Sequence, residues 1–323
     1  MNKRKFFSTI GIAYFLLILL MLVLPTILAL IIQTAAPGSL YRYPLLYWII
    51  SLAPQYLVAM PLCVRIMRRL PAVKLYQNRI GGGGTWFSTL CIAIFIMEVG
   101  NIIGNLVSTL ISRLSGLEVS SGVEELLSEG NLGMIFLFSV ILAPILEELV
   151  FRKLLIDRTV VFGDRTAILL SALLFGLAHG NFYQFFYAFG LGCLFSYVYI
   201  RTGKIRYTIS FHMMINFLGG FVSSFLLDRL EYSRWNSADY NEMMYAMFAH
   251  LGALLGLALY VILIIGLSIA GLVLFITSIR KVKLYPGEYE MPAGETAGTV
   301  FGNAGMILFL IMAAVTFAIE TVQ

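Results

Sequence analysis

Nine apolar segments run through the whole chain and limit its possible folds more than any other feature. They cover residues 6–33, 45–66, 85–112, 132–157, 165–182, 184–200, 206–227, 247–279 and 298–319. A helix of about 20 apolar residues crosses a bilayer core of about 30 Å, and only helices or closed barrels satisfy their backbone groups there. The sequence predicts an all-α, polytopic transmembrane helical bundle of about 8–9 spans, in which the short pair 165–182 and 184–200 is the least regular part.

The charged residues predict how the bundle is oriented. If Lys3, Arg4 and Lys5 are cytoplasmic, 18 of the 22 Lys and Arg residues fall on the same side, which is the positive-inside pattern. Two acidic loops, 117–130 and 228–245, then lie on the opposite side. The net charge of +5 therefore reflects orientation in a lipid bilayer, and no nucleic-acid partner is expected.

The remaining organisation fits a compact membrane protein. The N-terminal apolar run is too long for a cleavable signal peptide and is interpreted as a first span. Cys63, Cys91 and Cys193 show no C-x-x-C spacing, so neither a disulfide framework nor a thiolate metal site is expected. We divide the chain into N-terminal helices with a basic loop (1–130), a catalytic core (131–228) and C-terminal helices (229–323). The expected location is a plasma membrane, in a bacterium, as a multi-pass protein.

Polar residues at membrane depth are the candidates for chemistry, because burying them in lipid is costly unless they pair or function. The carboxylates within the apolar segments are Glu98, Glu147 and Glu148, and the histidines of the chain are His179, His212 and His250. Glu147, Glu148, His179 and His212 fall within 66 residues on three predicted helices. These four residues are the strongest candidates for one site.

Helical spacing places these groups on defined faces. Glu148 and Arg152 are four residues apart, so the two charges can neutralise each other. Glu147 lies about 100° round the helix and has no local cation. The pairs Phe175 with His179, and His212 with Asn216, repeat the same spacing on two later helices. If the three helices converge, the site can deprotonate a water and donate hydrogen bonds to an oxyanion.

The polar faces of these three helices, which we call stripes, together resemble the CAAX protease and bacteriocin-processing (CPBP) family of intramembrane proteases. This family includes the Ras-converting prenyl endopeptidases. The family pattern is Glu-Glu-x-x-x-Arg, Phe-x-x-x-His and His-x-x-x-Asn/Asp on successive helices. Here the motifs read EELVFR (147–152), FGLAH (175–179) and HMMIN (212–216), intact and in that order. The resemblance covers about residues 130–225 and leaves the first three and last two spans unexplained.

The resemblance implies an intramembrane endopeptidase. Glu147 would be the general base on the attacking water, His179 would orient that water, and Glu148 would hold Arg152 and shape the site. His212 and Asn216 would donate to the scissile carbonyl oxygen. Substrate access is expected from the cytoplasmic side, towards which Glu147 is predicted to lie. The substrate would be a membrane-associated peptide or protein, with or without a lipid.

Alternatives remain for the cofactor and for the function. Glu147, His179 and His212 could instead bind zinc, which would lower the pKa of the water. The spacing favours the metal-free version, because Asn216 is a poor zinc ligand and no H-E-x-x-H pair is present. A proton-coupled transporter and a non-catalytic scaffold or bacteriocin immunity factor are the other functions compatible with such stripes.

Three other polar or aromatic features are expected to be peripheral. Glu98 belongs to a stripe that we interpret mainly as helix packing through Gly100 and Gly104, with a substrate groove as the alternative. His250 is expected at the outer end of its span. The aromatic stretch 181–189 is interpreted as an interface belt, with a groove for a lipid as the alternative.

Overall fold

The chain is mostly helical in the residues that the computed structural model describes, which are 2–116, 131–230, 244 and 248–322. The predicted all-α class is confirmed, and these residues contain no β-strand. A short helix, Ser39–Arg42, precedes α2. The main helices are α1 (Lys3–Ala35), α2 (Leu45–Met67), α3 (Gly83–Ser115), α4 (Leu132–Phe162), α5 (Asp164–Ala178), α6 (Phe182–Thr202), α7 (Ile205–Arg229), α8 (Leu251–Ile279), α9 (Ala293–Phe301) and α10 (Ala304–Val322).

Seven of the helices in the described part of the chain are long and apolar enough to cross a membrane: α1, α2, α3, α4, α7, α8 and α10. The prediction of a multi-pass membrane protein is confirmed, with a smaller set of candidate spans than the nine expected from the apolar segments. Helices α5 and α6 fall outside this set. With 15 residues, α5 is about 22 Å long, which is shorter than the bilayer core.

Three of the long helices contain stretches of π-helix. They are Gln55–Ala59 in α2, Ile135–Leu142 and Glu148–Leu154 in α4, and Phe217–Val222 in α7. Pro144 lies between the two stretches of α4 and has no N–H to donate to the preceding turn. A π-helical stretch widens the helix locally, and such stretches are frequent at functional sites.

The apolar side chains form two main clusters that meet near the middle of the bundle. One cluster joins α1, α2, α4, α5 and α10, and the other joins α3, α6, α7 and α8. Tyr187 of α6 packs against both clusters. The first two sequence motifs lie on α4 and α5, in one cluster, and the third lies on α7, in the other. The three motifs therefore lie where the two halves of the bundle meet.

Two glycines allow α3 to pack closely against α6, as predicted for the stripe that includes Glu98. A Cβ atom on Gly104 would lie 2.6 Å from the carbonyl oxygen of Tyr183, a distance that real Cβ atoms do not adopt. Gly100 meets the backbone of Tyr187 in the same way. The packing interpretation of Gly100 and Gly104 is thus confirmed.

The basic loops lie together at one end of the bundle. The amide of Val73 donates to the carbonyl oxygen of Asp157 (2.6 Å), and that of Tyr289 donates to Val161 (2.8 Å). Arg158 donates from Nε to the carbonyl oxygen of Met67 at 2.7 Å. The assignment of this end to the cytoplasm stays a prediction. Loop 117–130 and most of loop 228–245, predicted for the opposite side, lie outside the described residues.

Candidate active site

Glu148 and Arg152 form the ion pair that their spacing predicts. Glu148 Oε2 lies 3.3 Å from Arg152 Nε, and both side chains are 0% exposed. The Arg152 guanidinium also lies over the Phe175 ring, 4.3 Å from its centroid, where a cation is attracted by the ring face. The pair therefore places one positive and one negative charge, which offset each other, inside the protein.

His212 of α7 joins this pair to Glu147. Its Nδ1 is 3.0 Å from Glu148 Oε1, and its Nε2 is 3.8 Å from Glu147 Oε2. Since Glu148 is ionised by its contact with Arg152, His212 Nδ1 carries the proton and donates it to that carboxylate. The sequence reasoning missed this link, because 64 residues separate the two side chains.

Glu147 differs from Glu148 in its surroundings, as the helical geometry predicts. Its side chain is 19% exposed, and its nearest cationic partner is the more distant nitrogen of His212. Glu147 is the sixteenth of the 31 residues of α4, about 22 Å from either end. The predictions that Glu147 lies nearer the cytoplasmic side of the membrane and that substrate enters from that side stay predictions.

Phe175 connects the histidines of α5 and α7. Its ring centroid is 4.8 Å from that of His179 and 5.7 Å from that of His212, both edge to face. His179 Nδ1 lies 2.8 Å from the Phe175 carbonyl oxygen, so this nitrogen is the donor and Nε2 is free to accept a proton. The predicted shared face of Phe175 and His179 is confirmed.

The end of α5 is fixed directly after His179. Gly180 has a φ of 72°, a conformation that favours glycine. Asn181 then caps α6, because its Oδ1 accepts from the Gln184 amide at 2.8 Å. Its Nδ2 donates to the His179 carbonyl oxygen at 3.0 Å. The turn thus fixes the position of His179 at the end of α5.

Asn216 lies on α7 one turn after His212 and donates from Nδ2 to the carbonyl oxygen of Ser139, at 2.8 Å. Asn216 immediately precedes the π-helical stretch of α7, and Ser139 lies within the first such stretch of α4. The contact ties together the helices that carry His212 and Glu147. One amide hydrogen of Asn216 and its carbonyl oxygen are not used by this bond.

Side chains from α1, α5 and α6 support the π-helical part of α4, and no sequence pattern predicts these contacts. Tyr14 Oη donates to the Val150 carbonyl oxygen at 2.8 Å. Ser171 Oγ donates to the carbonyl oxygen of Phe151 at 2.7 Å and accepts from Ser196 Oγ at 3.0 Å. All three side chains are buried. Tyr14 and Ser171 thus donate to carbonyl groups beside the Glu148–Arg152 pair, and Ser196 supports Ser171.

Two further tyrosines lie close enough to Glu147 to interact with it electrostatically. They are Tyr56, in the π-helical stretch of α2, and Tyr187, on α6. Both are partly buried. Helix α2, which the family resemblance leaves unexplained, thus contributes to the surroundings of the site.

The other candidates lie outside this cluster. His250 precedes α8 and lines an open cleft with Phe225 and Arg229. Glu98 is partly buried on α3, and its electrostatic neighbour is Tyr260 of α8. In the aromatic stretch 181–189, Phe182 and Phe185 pack against Phe317 of α10, with centroids 4.8 and 5.9 Å apart. This stretch therefore includes internal packing residues, beyond the interface belt that we expected.

Within the described residues, no three His, Cys, Asp or Glu side chains form a group that could hold a metal ion. His179 and His212 each direct Nδ1 at an oxygen acceptor, the Phe175 carbonyl and the Glu148 carboxylate respectively, as metal-bound histidines usually do. The zinc alternative stays a prediction.

Comparison with known proteins agrees with the motif positions. The family model described as type II CAAX prenyl endopeptidase Rce1-like matches residues 129–218, a range that includes all three motifs. None of the solved structures matches the chain significantly.

Two relatives extend this result. The membrane-embedded CAAX protease MroQ of Staphylococcus aureus (strain USA300) is 37% identical in an alignment of 120 residues that covers 35% of this chain and 47% of that protein. CAAX prenyl protease 2 of Arabidopsis thaliana is 33% identical in an alignment of 101 residues that covers 24% of this chain and 32% of that protein. The chain thus matches less than half the length of each relative. It is a multi-pass membrane protein whose residues 129–218 match the family model of the Rce1-like type II CAAX prenyl endopeptidases.

Proposed function

We propose that the protein is an intramembrane endopeptidase that hydrolyses a peptide bond with a water activated by Glu147. The observation that carries this proposal is the contrast between two adjacent carboxylates. Glu148 is fully buried and bound to Arg152 and His212, whereas Glu147 is partly exposed and, among the described residues, approaches a basic nitrogen only at 3.8 Å, in His212. One carboxylate is thus fixed and the other is available to a water.

In the proposed reaction, Glu147 accepts a proton from water while the water oxygen bonds to the scissile carbonyl carbon. The resulting tetrahedral intermediate carries an oxyanion. Its C–N bond then breaks, and Glu147 returns the proton to the departing amine. The free Nε2 of His179 accepts a hydrogen bond from the second O–H of the water, which stays bonded to the water oxygen, and so fixes the direction of attack.

Hydrogen-bond donors for the oxyanion come from α7 in this proposal. The unused amide hydrogen of Asn216 is one donor. His212 is the other when both of its ring nitrogens are protonated, since Nδ1 already donates to Glu148. Removal of one such preorganised donor typically costs about 3 kcal/mol of transition-state stabilisation. Glu148 and Arg152 act by holding His212 in place.

The substrate class follows from the location of the site and from the names of the relatives. A site midway along a membrane helix is suited to a substrate that enters from the bilayer. The relatives are named as a CAAX protease and a CAAX prenyl protease, which supports a membrane-associated or prenylated peptide or protein. The proposed location is a bacterial plasma membrane.

The metal-free reaction is also part of the proposal. Zinc held by Glu147, His179 and His212 is the alternative, and it predicts that activity is lost on chelation and restored by zinc. The metal-free reaction predicts that a purified preparation treated with a chelator and free of zinc by elemental analysis keeps its full activity.

The proposed function is tested by comparing peptide termini, in membranes and in the medium, of cells that express the wild type, Glu147→Ala or Glu98→Ala at equal levels. Glu98→Ala is a matched control, because it removes a partly buried carboxylate from a helix outside the cluster. We expect new termini with the wild type and Glu98→Ala, and none with Glu147→Ala. Identical termini in all three strains, with a phenotype that survives Glu147→Ala, would instead favour a scaffold or transporter.

A further inference from the structure

A second concave surface lies at the basic end of the bundle, away from the candidate active site. It is a cleft of about 570 Å³ between the loop after α2, the start of α5, the end of α6 and the segment after α8. Its cationic lining residues are Arg201, Lys281 and Lys283. We refer to it as the basic cleft.

The walls of the basic cleft are joined by hydrogen bonds between distant segments. The Asn78 amide donates to the Thr202 carbonyl oxygen at 2.8 Å. The Asp164 amide donates to the Tyr285 carbonyl oxygen at 3.0 Å, and the Tyr285 amide donates to Asp164 Oδ2 at 2.9 Å. Because these bonds connect four segments, the cleft is formed before any ligand arrives.

The charges in the basic cleft are only partly balanced. Arg201 pairs with Asp164, donates to the Lys283 carbonyl oxygen at 2.6 Å, and lies 4.7 Å from the centroid of the Tyr285 ring. Its charge is therefore already used within the protein. Lys281 and Lys283 are exposed and form no ion pair with any carboxylate of the described residues. Two ammonium groups are available to an anion.

The same cleft has apolar and aromatic walls. Val160 and Ile200 line it beside Tyr197, while the Tyr76 and Tyr285 side chains at its mouth are 81% and 56% exposed. Tyrosines in such positions are typical of the membrane–water interface. A ligand with a negative head and an apolar tail matches this combination, whereas a small inorganic anion would use only the lysines.

We propose that the basic cleft binds the headgroup of an anionic phospholipid, with the phosphate between Lys281 and Lys283 and the start of the acyl chains along Val160 and Ile200. Basic pockets between helices at the cytoplasmic face are suited to anionic headgroups. The site lies outside the cluster around Glu147, and the proposal is independent of the proteolytic function. It assigns a role to the segment after α8, which lies outside the match to the family.

The test is native mass spectrometry of the full-length protein, purified in a mild detergent and mixed with equal amounts of phosphatidylglycerol and phosphatidylcholine. The test variant is Lys281→Gln/Lys283→Gln. The matched control is Arg4→Gln/Lys5→Gln, which removes two exposed cations from the N-terminal end of α1, outside the cleft. Thermal unfolding of all three proteins checks that they are folded. A parallel sample contains millimolar inorganic phosphate as a competitor.

We expect the wild type and the control to retain phosphatidylglycerol in preference to phosphatidylcholine. The cleft variant should retain roughly tenfold less phosphatidylglycerol, because two basic contacts are lost. Equal retention in all three proteins, or an equal loss in both double variants, would overturn the proposal. Displacement of the lipid by inorganic phosphate would overturn it as well, because the cleft would then bind a small anion.

Discussion

At the residue scale, the chemistry of the site depends on how α4 separates two adjacent glutamates. Glu148 is enclosed with Arg152, and the charges offset each other where water is excluded. Glu147 remains next to His212 and partly open. A buried charge whose partner is removed is strongly destabilising, while replacement of both partners by neutral groups of similar shape can be tolerated. The two glutamates should therefore respond differently to substitution.

The Glu148–Arg152 pair gives the first prediction. Arg152→Met should lower the free energy of unfolding by about 3–5 kcal/mol, because Glu148 is left buried without its cation. The double variant Glu148→Gln/Arg152→Met should recover most of that stability and still be inactive, since His212 loses its carboxylate partner. Unfolding in detergent micelles measures the stability. A double variant no more stable than Arg152→Met would show that the pair does not act as a unit.

At the element scale, the widened stretches of α4 and α7 determine which groups meet, and they need side chains from neighbouring helices to support them. The sequence predicts the helices themselves and the faces of Glu148 with Arg152, Phe175 with His179 and His212 with Asn216. It does not predict the π-helical geometry. Nor does it predict the contact of Tyr14 with Val150, because 136 residues separate these two residues and nothing in the local pattern of α1 distinguishes Tyr14.

Tyr14→Phe tests the support of α4. The substitution removes a buried donor to the Val150 carbonyl and should lower the free energy of unfolding by about 1–2 kcal/mol. Tyr41→Phe, at a side chain that is 92% exposed, is the control and should have no measurable effect. Equal stability of the wild type and Tyr14→Phe in detergent unfolding would show that this hydrogen bond does not stabilise the protein.

Gly104→Ala tests the contact between α3 and α6. The added methyl group would press on the Tyr183 carbonyl, so the helices must move apart, at a cost of about 1–3 kcal/mol. Gly266→Ala in α8 is the matched control, because a Cβ there meets open space. We expect a lower unfolding temperature for Gly104→Ala alone. If both variants unfold with the wild type, the close approach is not required for stability.

At the scale of the whole molecule, the bundle brings both ends of the chain to the central helices. Gly305 of α10 donates its amide to Ser8 Oγ of α1 at 3.1 Å, and α1 in turn reaches α4 through Tyr14. The clustering of Lys and Arg predicts that the end of the bundle bearing these loops is cytoplasmic. With 15 residues, α5 is shorter than the bilayer core, and a short apolar segment of this kind can be buried by its neighbours instead of crossing.

Labelling with a membrane-impermeant maleimide tests this orientation. Cys63 and Cys91 are buried and Cys193 is partly buried, so the background reaction should be slow. Tyr41→Cys, after α1, should be labelled in intact cells. Tyr76→Cys, in the basic loop after α2, should be labelled only after the membrane is permeabilised. The reverse pattern would mean that the protein is inserted with its N-terminus outside.

The central claim, that Glu147 activates a water, is tested most directly by single-turnover cleavage in water enriched in ¹⁸O, using the purified protein and a substrate identified from the peptide termini. Mass spectrometry of the product and of the peptide containing Glu147 shows where the label is incorporated. We predict one ¹⁸O atom in the new carboxyl terminus of the product, none in Glu147, and no product from Glu147→Gln. Label in the Glu147 side chain, or cleavage by Glu147→Gln at the wild-type rate, would contradict the account.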